Sequence, residues 1–209
     1  MNVGAGALDT RALPVPSHIA LFHRGEAELR DHALAFLKEG FDRPNEALFC
    51  FGEPSVGERL LRTLEESVGR DLSPEYRAGR IVVGQADPDV DRQLDNVIGP
   101  LEGFRASGFT LIRFVGIVAW DVPTFPPPED FLWFESKLNE LISDFRVIAL
   151  CPYDVAHMPA RAIAYGGLET HPLVVSGGVL RENPQFIAPD RYLRERLLRL
   201  PWLQGETSA

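Results

Sequence analysis

Short apolar runs alternate with longer amphipathic stretches along most of the chain. The run HIALFHRG (18–25) reads as a buried strand ending in a glycine turn. In EAELRDHALAFLKEGF, which follows, Leu29, Ala33, Leu37 and Phe41 recur every four residues, the stripe of a helix packed on a core. EALFCFG (46–52) predicts a second strand, and SVGERLLRTLEESVG a second helix. Ser55 is the expected cap of that helix, with Glu58 completing a capping box. GRIVVG (79–84) is a third strand, DVDRQLDNVIGPLEGFRASG (89–108) a helix interrupted at Gly99-Pro100, and FTLIRFVGIVAW (109–120) a long apolar strand. Proline in FPPPED opens the next helix, EDFLWFESKLNELISDF. A strand, RVIALCPYD (146–154), and a short helix near 159–168 come next. Two apolar runs around Gly177-Gly178 make HPLVVSGGVLREN (171–183) a hairpin, and DRYLRERLLRLPW is an amphipathic helix.

Strands alternating with helices predict an α/β fold of three layers, a mostly parallel sheet with helices on both faces. No repeat or long linker divides the chain. One body over residues 17–187 is expected, between a flexible tail (1–16) and a C-terminal helix or tail (188–209). At 209 residues, 45% of them hydrophobic, the chain can bury a real core. The net charge of −9 argues against direct contact with nucleic acid, which needs a basic surface. Arg191, Arg194, Arg196 and Arg199 sit at helical spacing and read as a solvated face. No apolar run is long enough to span a bilayer, and the N-terminus is no signal peptide. Two cysteines make no disulfide framework, so a cytoplasmic location is expected.

One stretch invites a nucleotide-binding reading. In FGEPSVGERLL (51–61), Gly52 and Gly57 have the separation of a phosphate loop, G-x-x-x-x-G-K-[ST]. The positions of the lysine and the hydroxyl hold Glu58 and Arg59, and a glutamate there repels phosphate. A tight turn followed by a helix cap explains the segment without a ligand.

Four segments in order, HIALFHRGEAELRDHALAFLKEGF, EALFCFGEPSVGERL, RVIALCPYD and THPLVVSGGVLRENPQF, resemble the MEDS domain. This is the sensory domain named after methanogens, methylotrophs and the regulator DcmR, and the resemblance covers roughly residues 17–187. It implies a RecA/KaiC-like sheet without working Walker A or Walker B elements. In such proteins the phosphate loop follows the first strand. Here that place holds Gly25 with Glu26 and Glu28 and no G-K-[ST], and Gly116 stands where the magnesium-holding Asp belongs. The resemblance further implies a non-catalytic sensor of simple hydrocarbon derivatives or similar small organics. Members are often fused to histidine-kinase, anti-sigma-type kinase or DNA-binding modules. After residue 190 there is no room for an output domain, so signalling to a histidine kinase, anti-sigma-type protein or transcriptional regulator is expected in trans.

The implied sheet order puts the strand ending at Cys151 between the first strand and the strand ending near Trp120. Ligands of open parallel sheets bind outside the strands' carboxyl ends. His23, Arg24, Trp120, Asp121, Cys151, Tyr153 and Asp154 would then rim one crevice, with Pro152 breaking the strand and His171 within reach. Tyr153 and Asp154 suit hydrogen bonding to a small organic ligand, and Trp120 suits an aromatic wall. No cofactor is expected. No metal site is expected either, because histidines and cysteines show no close ligand spacing. Two other readings stand beside the sensor: a nucleotide-binding remnant without hydrolysis, and an enzyme. The enzyme would use Cys151 as nucleophile, His23 or His171 as base and Asp154 as orienter.

Overall fold

The computed structural model describes residues 10 and 13–196. Most of the tail expected over 1–16 lies outside them, as do Arg199 and the last part of the predicted C-terminal helix. Within the described part, Thr10 is buried and Leu13 and Val15 pack on the core, so this stretch is not the free tail expected.

Seven strands form one sheet: β1 (Ser17–His23), β2 (Glu46–Gly52), β3 (Ile81–Gln85), β4 (Leu111–Gly116), β5 (Val147–Asp154), β6 (Leu173–Ser176) and β7 (Val179–Glu182). Their order is β3-β2-β4-β5-β1-β6-β7. All neighbours are parallel except β6 and β7. β5 therefore lies between β1 and β4, as the family resemblance implies. The hairpin turns at Gly177 and Gly178, both with positive φ (56° and 75°), the backbone that a two-residue hairpin loop demands.

Strand alternation divides the core in two. On one face Ile19, Leu21, Ile148 and Leu150 meet α1 (Gly25–Phe41) and α2 (Pro54–Val68), with the short α3 (Ser73–Arg77) beyond. On the other, Ala20, Ala149, Cys151 and Tyr153 meet α4 (Val90–Ala106) and α5 (Pro128–Leu141). Among the described residues no helix is long and apolar enough to cross a membrane.

Four local expectations need correction. Helix α2 is capped at Glu53 without a side-chain bond, because Pro54 starts it two residues before the start that a Ser55 cap implies; Ser55 bonds the Glu53 carboxylate at 3.3 Å, and no capping box forms. Helix α4 runs through Pro100 unbroken, held on the sheet by the stripe Val97, Leu101 and Phe104. Strand β4 ends at Gly116 rather than Trp120, because Val118, Ala119 and Trp120 leave the sheet to pack on α5. Strand β5 continues through Pro152 to Asp154. Its pairing with β4 stops at Leu150, so the missing N–H leaves no gap in that ladder.

The start of α4 yields a local test. Asp89 accepts from the backbone N–H groups of Asp91 (3.1 Å) and Arg92 (3.0 Å). Asp89→Ala is expected to lower stability by about 1 kcal/mol, read as a shift in urea midpoint at constant m-value.

Candidate functional site

On the α5 side of the sheet, a set of polar side chains is sealed in the core. His18 and Cys151 project from β1 and β5, Glu135 and Asn139 from successive turns of α5, and His171 from the segment before β6. His18, Glu135, Cys151 and His171 are each no more than 2% exposed. Their donor atoms all lie within 4.8 Å of one another. His18 Nε2 is 3.3 Å from Cys151 Sγ and 3.8 Å from Glu135 Oε2, and His171 Nε2 is 3.4 Å from the same carboxylate oxygen. The two imidazoles stack obliquely with centroids 3.8 Å apart, and Tyr153 meets His171 edge-on.

A second layer fixes the rings. The Asn139 amide nitrogen donates to the carbonyl of Thr170 at 2.8 Å, which turns its oxygen toward His18 Nδ1 at 3.1 Å. His18 therefore carries its proton on Nδ1 and presents a lone pair at Nε2. His171 Nδ1 faces the Gly166 carbonyl at 3.1 Å, so its Nε2 likewise points a lone pair inward. That carbonyl belongs to a π-helical turn, Ala162–Leu168. Gly166 and Gly167 let the turn pack tightly, since a Cβ at Gly167 would lie 2.7 Å from the Phe22 ring.

Burial sets the protonation of the whole cluster. It lowers His18 to about 4 against a weaker opposing bond from Asn139, and lowers His171 well below its ordinary value, helped by His18. Both rings are neutral. Burial raises Glu135 to about 8, with the Tyr153 hydroxyl working weakly against it. The Cys151 thiol and the Tyr153 phenol are pushed well up by burial and then by the Glu135 carboxyl. Glu135 Oε2, Tyr153 Oη and His171 Nε2 nevertheless complete no hydrogen bond of good geometry.

Beside the cluster, beyond the end of β4, lies a cavity of about 10 Å³, room for one molecule of about water size. Phe51, Phe114, Phe125, Phe131 and Phe134 line it, and Glu135 and Cys151 form its polar end. Gly116 helps open it: a Cβ there would sit 3.2 Å from Cys151 Sγ.

The residues expected to rim one crevice separate into three places. Cys151, Tyr153 and His171 join the sealed cluster, with Tyr153 and His171 fully buried. His23 and Asp154 are register partners at the strand ends, and alternation turns both to the α1 face, away from Cys151 and Tyr153. His23 Nδ1 bonds the Gly25 carbonyl, and Asp154 bonds His157 at 2.8 Å and the Ala156 N–H at 2.9 Å. Arg24 is exposed, and its N–H donates to the Glu28 carboxylate at 2.8 Å. Trp120 packs edge-on to Phe131 with Arg161 over its ring, and Asp121 is exposed with φ 55°. A single crevice is therefore not formed. The separation follows from the strand period of two, which puts residues three apart on opposite faces.

Two members of the cluster escaped sequence reasoning. In the sequence His18 is one residue of an apolar strand and Glu135 one residue of a helix. A signal existed for Glu135, which sits within the apolar stripe Phe131, Leu138 and Ile142 at spacings of four, three and seven. The four donors are far apart in sequence, coming from β1, α5, β5 and the segment before β6, so no close ligand spacing marks them.

A seven-stranded, mostly parallel sheet with this strand order and helices on both faces is a RecA/KaiC-like α/β architecture. The fold is similar to that of a KaiC-like protein from the hyperthermophilic archaeon Pyrococcus horikoshii OT3, with TM-score 0.54 and 18% identity over 77% of this chain and 72% of that one. The family of the methanogen/methylotroph, DcmR sensory domain (MEDS) matches residues 17–172, and the chain belongs to it. No curated protein matches the chain.

Proposed function

We propose that this sensory domain detects a small organic molecule of the simple hydrocarbon-derivative class in the phenylalanine-lined cavity and signals in trans to a transcriptional or kinase-type partner. The observation that carries the reading is the opening of an apolar cavity onto Glu135, whose buried Oε2 completes no hydrogen bond. Such a place excludes water from an apolar body while offering a fixed contact to one polar group. At about 10 Å³ it admits about one heavy atom as it stands, so a ligand of this class must be among the smallest and the lining must yield to take it. Helix α5 gives the signal a way out, because it bears Glu135 on its inner side and Trp133 and Lys137 on a groove shared with α4.

Two features speak against the rival readings. At the start of α1, the Glu28 carboxylate occupies the loop N–H where a nucleotide phosphate would bind. Cys151 does meet a histidine, but this is His18, and burial keeps the thiol protonated and the imidazole neutral, the reverse of a reactive thiolate–imidazolium pair.

A thermal-shift screen of short alcohols, amines, acids and halogenated hydrocarbons tests the sensor. A ligand present at 100 times its dissociation constant is expected to add about 2.7 kcal/mol of stability. The shift should vanish in Gly116→Ala, whose added methyl fills the cavity beside Cys151, and persist in Asp154→Asn, whose carboxylate lies on the other face of the sheet. A shift lost in Asp154→Asn and kept in Gly116→Ala would move the ligand to the strand-end rim and refute the cavity.

A further inference from the structure

We propose that His18, Glu135, Cys151 and His171 form a tetrahedral site for a divalent transition metal of the zinc type. Metal–donor bonds of about 2.0–2.3 Å at tetrahedral angles place neighbouring donors roughly 3.3–3.6 Å apart. The closest approaches in the cluster, 3.3, 3.4 and 3.8 Å, fall in and around that range.

Orientation agrees with distance. Asn139 holds the His18 Nδ1 proton and the Gly166 carbonyl holds that of His171, so both Nε2 lone pairs converge on Glu135 and Cys151. Metal-bound histidines are typically held in this way by a hydrogen bond from the far nitrogen. Glu135 Oε2 and His171 Nε2 are sealed from water and complete no hydrogen bond, which a shared metal would supply. Charge agrees as well. One thiolate and one carboxylate balance a dication, and two neutral imidazoles add nothing, so the core would hold no net charge once the thiol and carboxyl protons leave to solvent.

Ligand softness narrows the metal. A thiolate with two imidazoles suits zinc and its neighbours rather than magnesium or calcium, which take oxygen donors. Four protein ligands close the coordination shell, the pattern of a structural site. Such a metal would tie β1, β5, α5 and the segment before β6 at one point. The proposal stands on the four donors alone and does not require the neighbouring cavity to take an organic ligand.

The test uses the full chain, stripped with chelator under reducing conditions and reconstituted with cobalt(II). One equivalent is expected to bind, giving the intense visible bands of tetrahedral cobalt and a thiolate-to-metal charge-transfer band. Cys50→Ala should keep that band and Cys151→Ala should lose it, Cys50 being the other buried free cysteine. Asn139→Ala leaves all four donors in place and is expected to weaken the metal about 10–100-fold. Elemental analysis of the purified protein should find zinc at one per chain. A protein that remains folded yet binds no cobalt, or binds it with octahedral spectra and no thiolate band, overturns the site. A bound metal would satisfy Glu135 Oε2, which also faces the cavity, so the organic-ligand screen is run on both the stripped and the metal-loaded protein and each proposal is read from its own signal.

Discussion

Gly52→Ala is expected to destabilise the protein by at least about 3 kcal/mol, or to prevent folding altogether. Gly52 ends β2 at φ 123°, a conformation L side chains avoid, and a Cβ there would lie 2.3 Å from the Ile117 carbonyl oxygen. Neither partner has room to retreat. Ile117 N–H donates to the Phe51 carbonyl at 2.7 Å, and Ala86 N–H donates to the Gly52 carbonyl at 2.9 Å. The backbones of β2 and the end of β4 are therefore pinned on both sides of the contact. Gly103→Ala provides the control, because Gly103 is exposed and helical and nothing lies within 4 Å of a Cβ there. It is expected to stabilise by about 0.5–1 kcal/mol. Urea unfolding of both variants decides the matter, and a Gly52→Ala midpoint equal to wild type would show that this crossing relaxes freely. The phosphate-loop spacing of Gly52 and Gly57 is thus a matter of packing. Gly57 lets α2 approach β2, where a Cβ would meet that of Cys50 at 3.1 Å.

Arg113→Met is expected to cost about 3–5 kcal/mol, the usual penalty for removing one partner of a buried ion pair. Arg113 is fully buried on β4, with Nε 2.8 Å from Glu46 and Nη1 3.2 Å from Glu39, and with a bond to Thr10. Its guanidinium also lies over the Phe36 ring, and the absence of a side chain at Gly40 makes space for its stem. Methionine keeps much of the volume but leaves the buried Glu46 carboxylate with Arg43, 3.2 Å from its other oxygen, as its one remaining ion-pair partner among the described residues. Adding Glu46→Gln to Arg113→Met should recover part of the loss, a non-additivity that a double-mutant cycle measures. If the single variant loses less than about 1 kcal/mol, the pair contributes no more than a surface bridge. Glu39 adds a pH dependence. Burial favours its neutral form, but Thr10 and Arg113 together outweigh this and hold its carboxyl below the ordinary range. Its contribution is complete above the unfolded value of about 4.3 and is lost as pH falls through the lower folded value. Glu39→Gln should flatten the acid limb of the stability profile there.

The frame of the molecule was legible because apolar runs and glycines mark it. EALFCFG coincides with β2, and Gly177-Gly178 marks the hairpin turn. The strand order came from family resemblance, since periodicity carries no information about which strands are neighbours. What misled was apolar character serving two purposes. Ile117–Trp120 reads as a continuation of β4, but these residues pack on the cavity and α5 instead. The site was legible only in part. Cys151, Tyr153 and His171 stand out by residue type, but their grouping with His23 and Asp154 ignored the parity of positions along the strands. His18 and Glu135 are invisible without the tertiary contacts, because His18 lies 133 residues from the thiol it meets.

Helix α5 carries Glu135 and Asn139 one turn apart, and both reach the same buried imidazole, His18. A slide of α5 by even one residue, about 1.5 Å, would withdraw both together. The two contacts are therefore made or broken together. By thermodynamic reciprocity, any molecule that grips the outer side of α5 more tightly in one position must change the affinity of the buried site by the same factor that filling the site changes the grip.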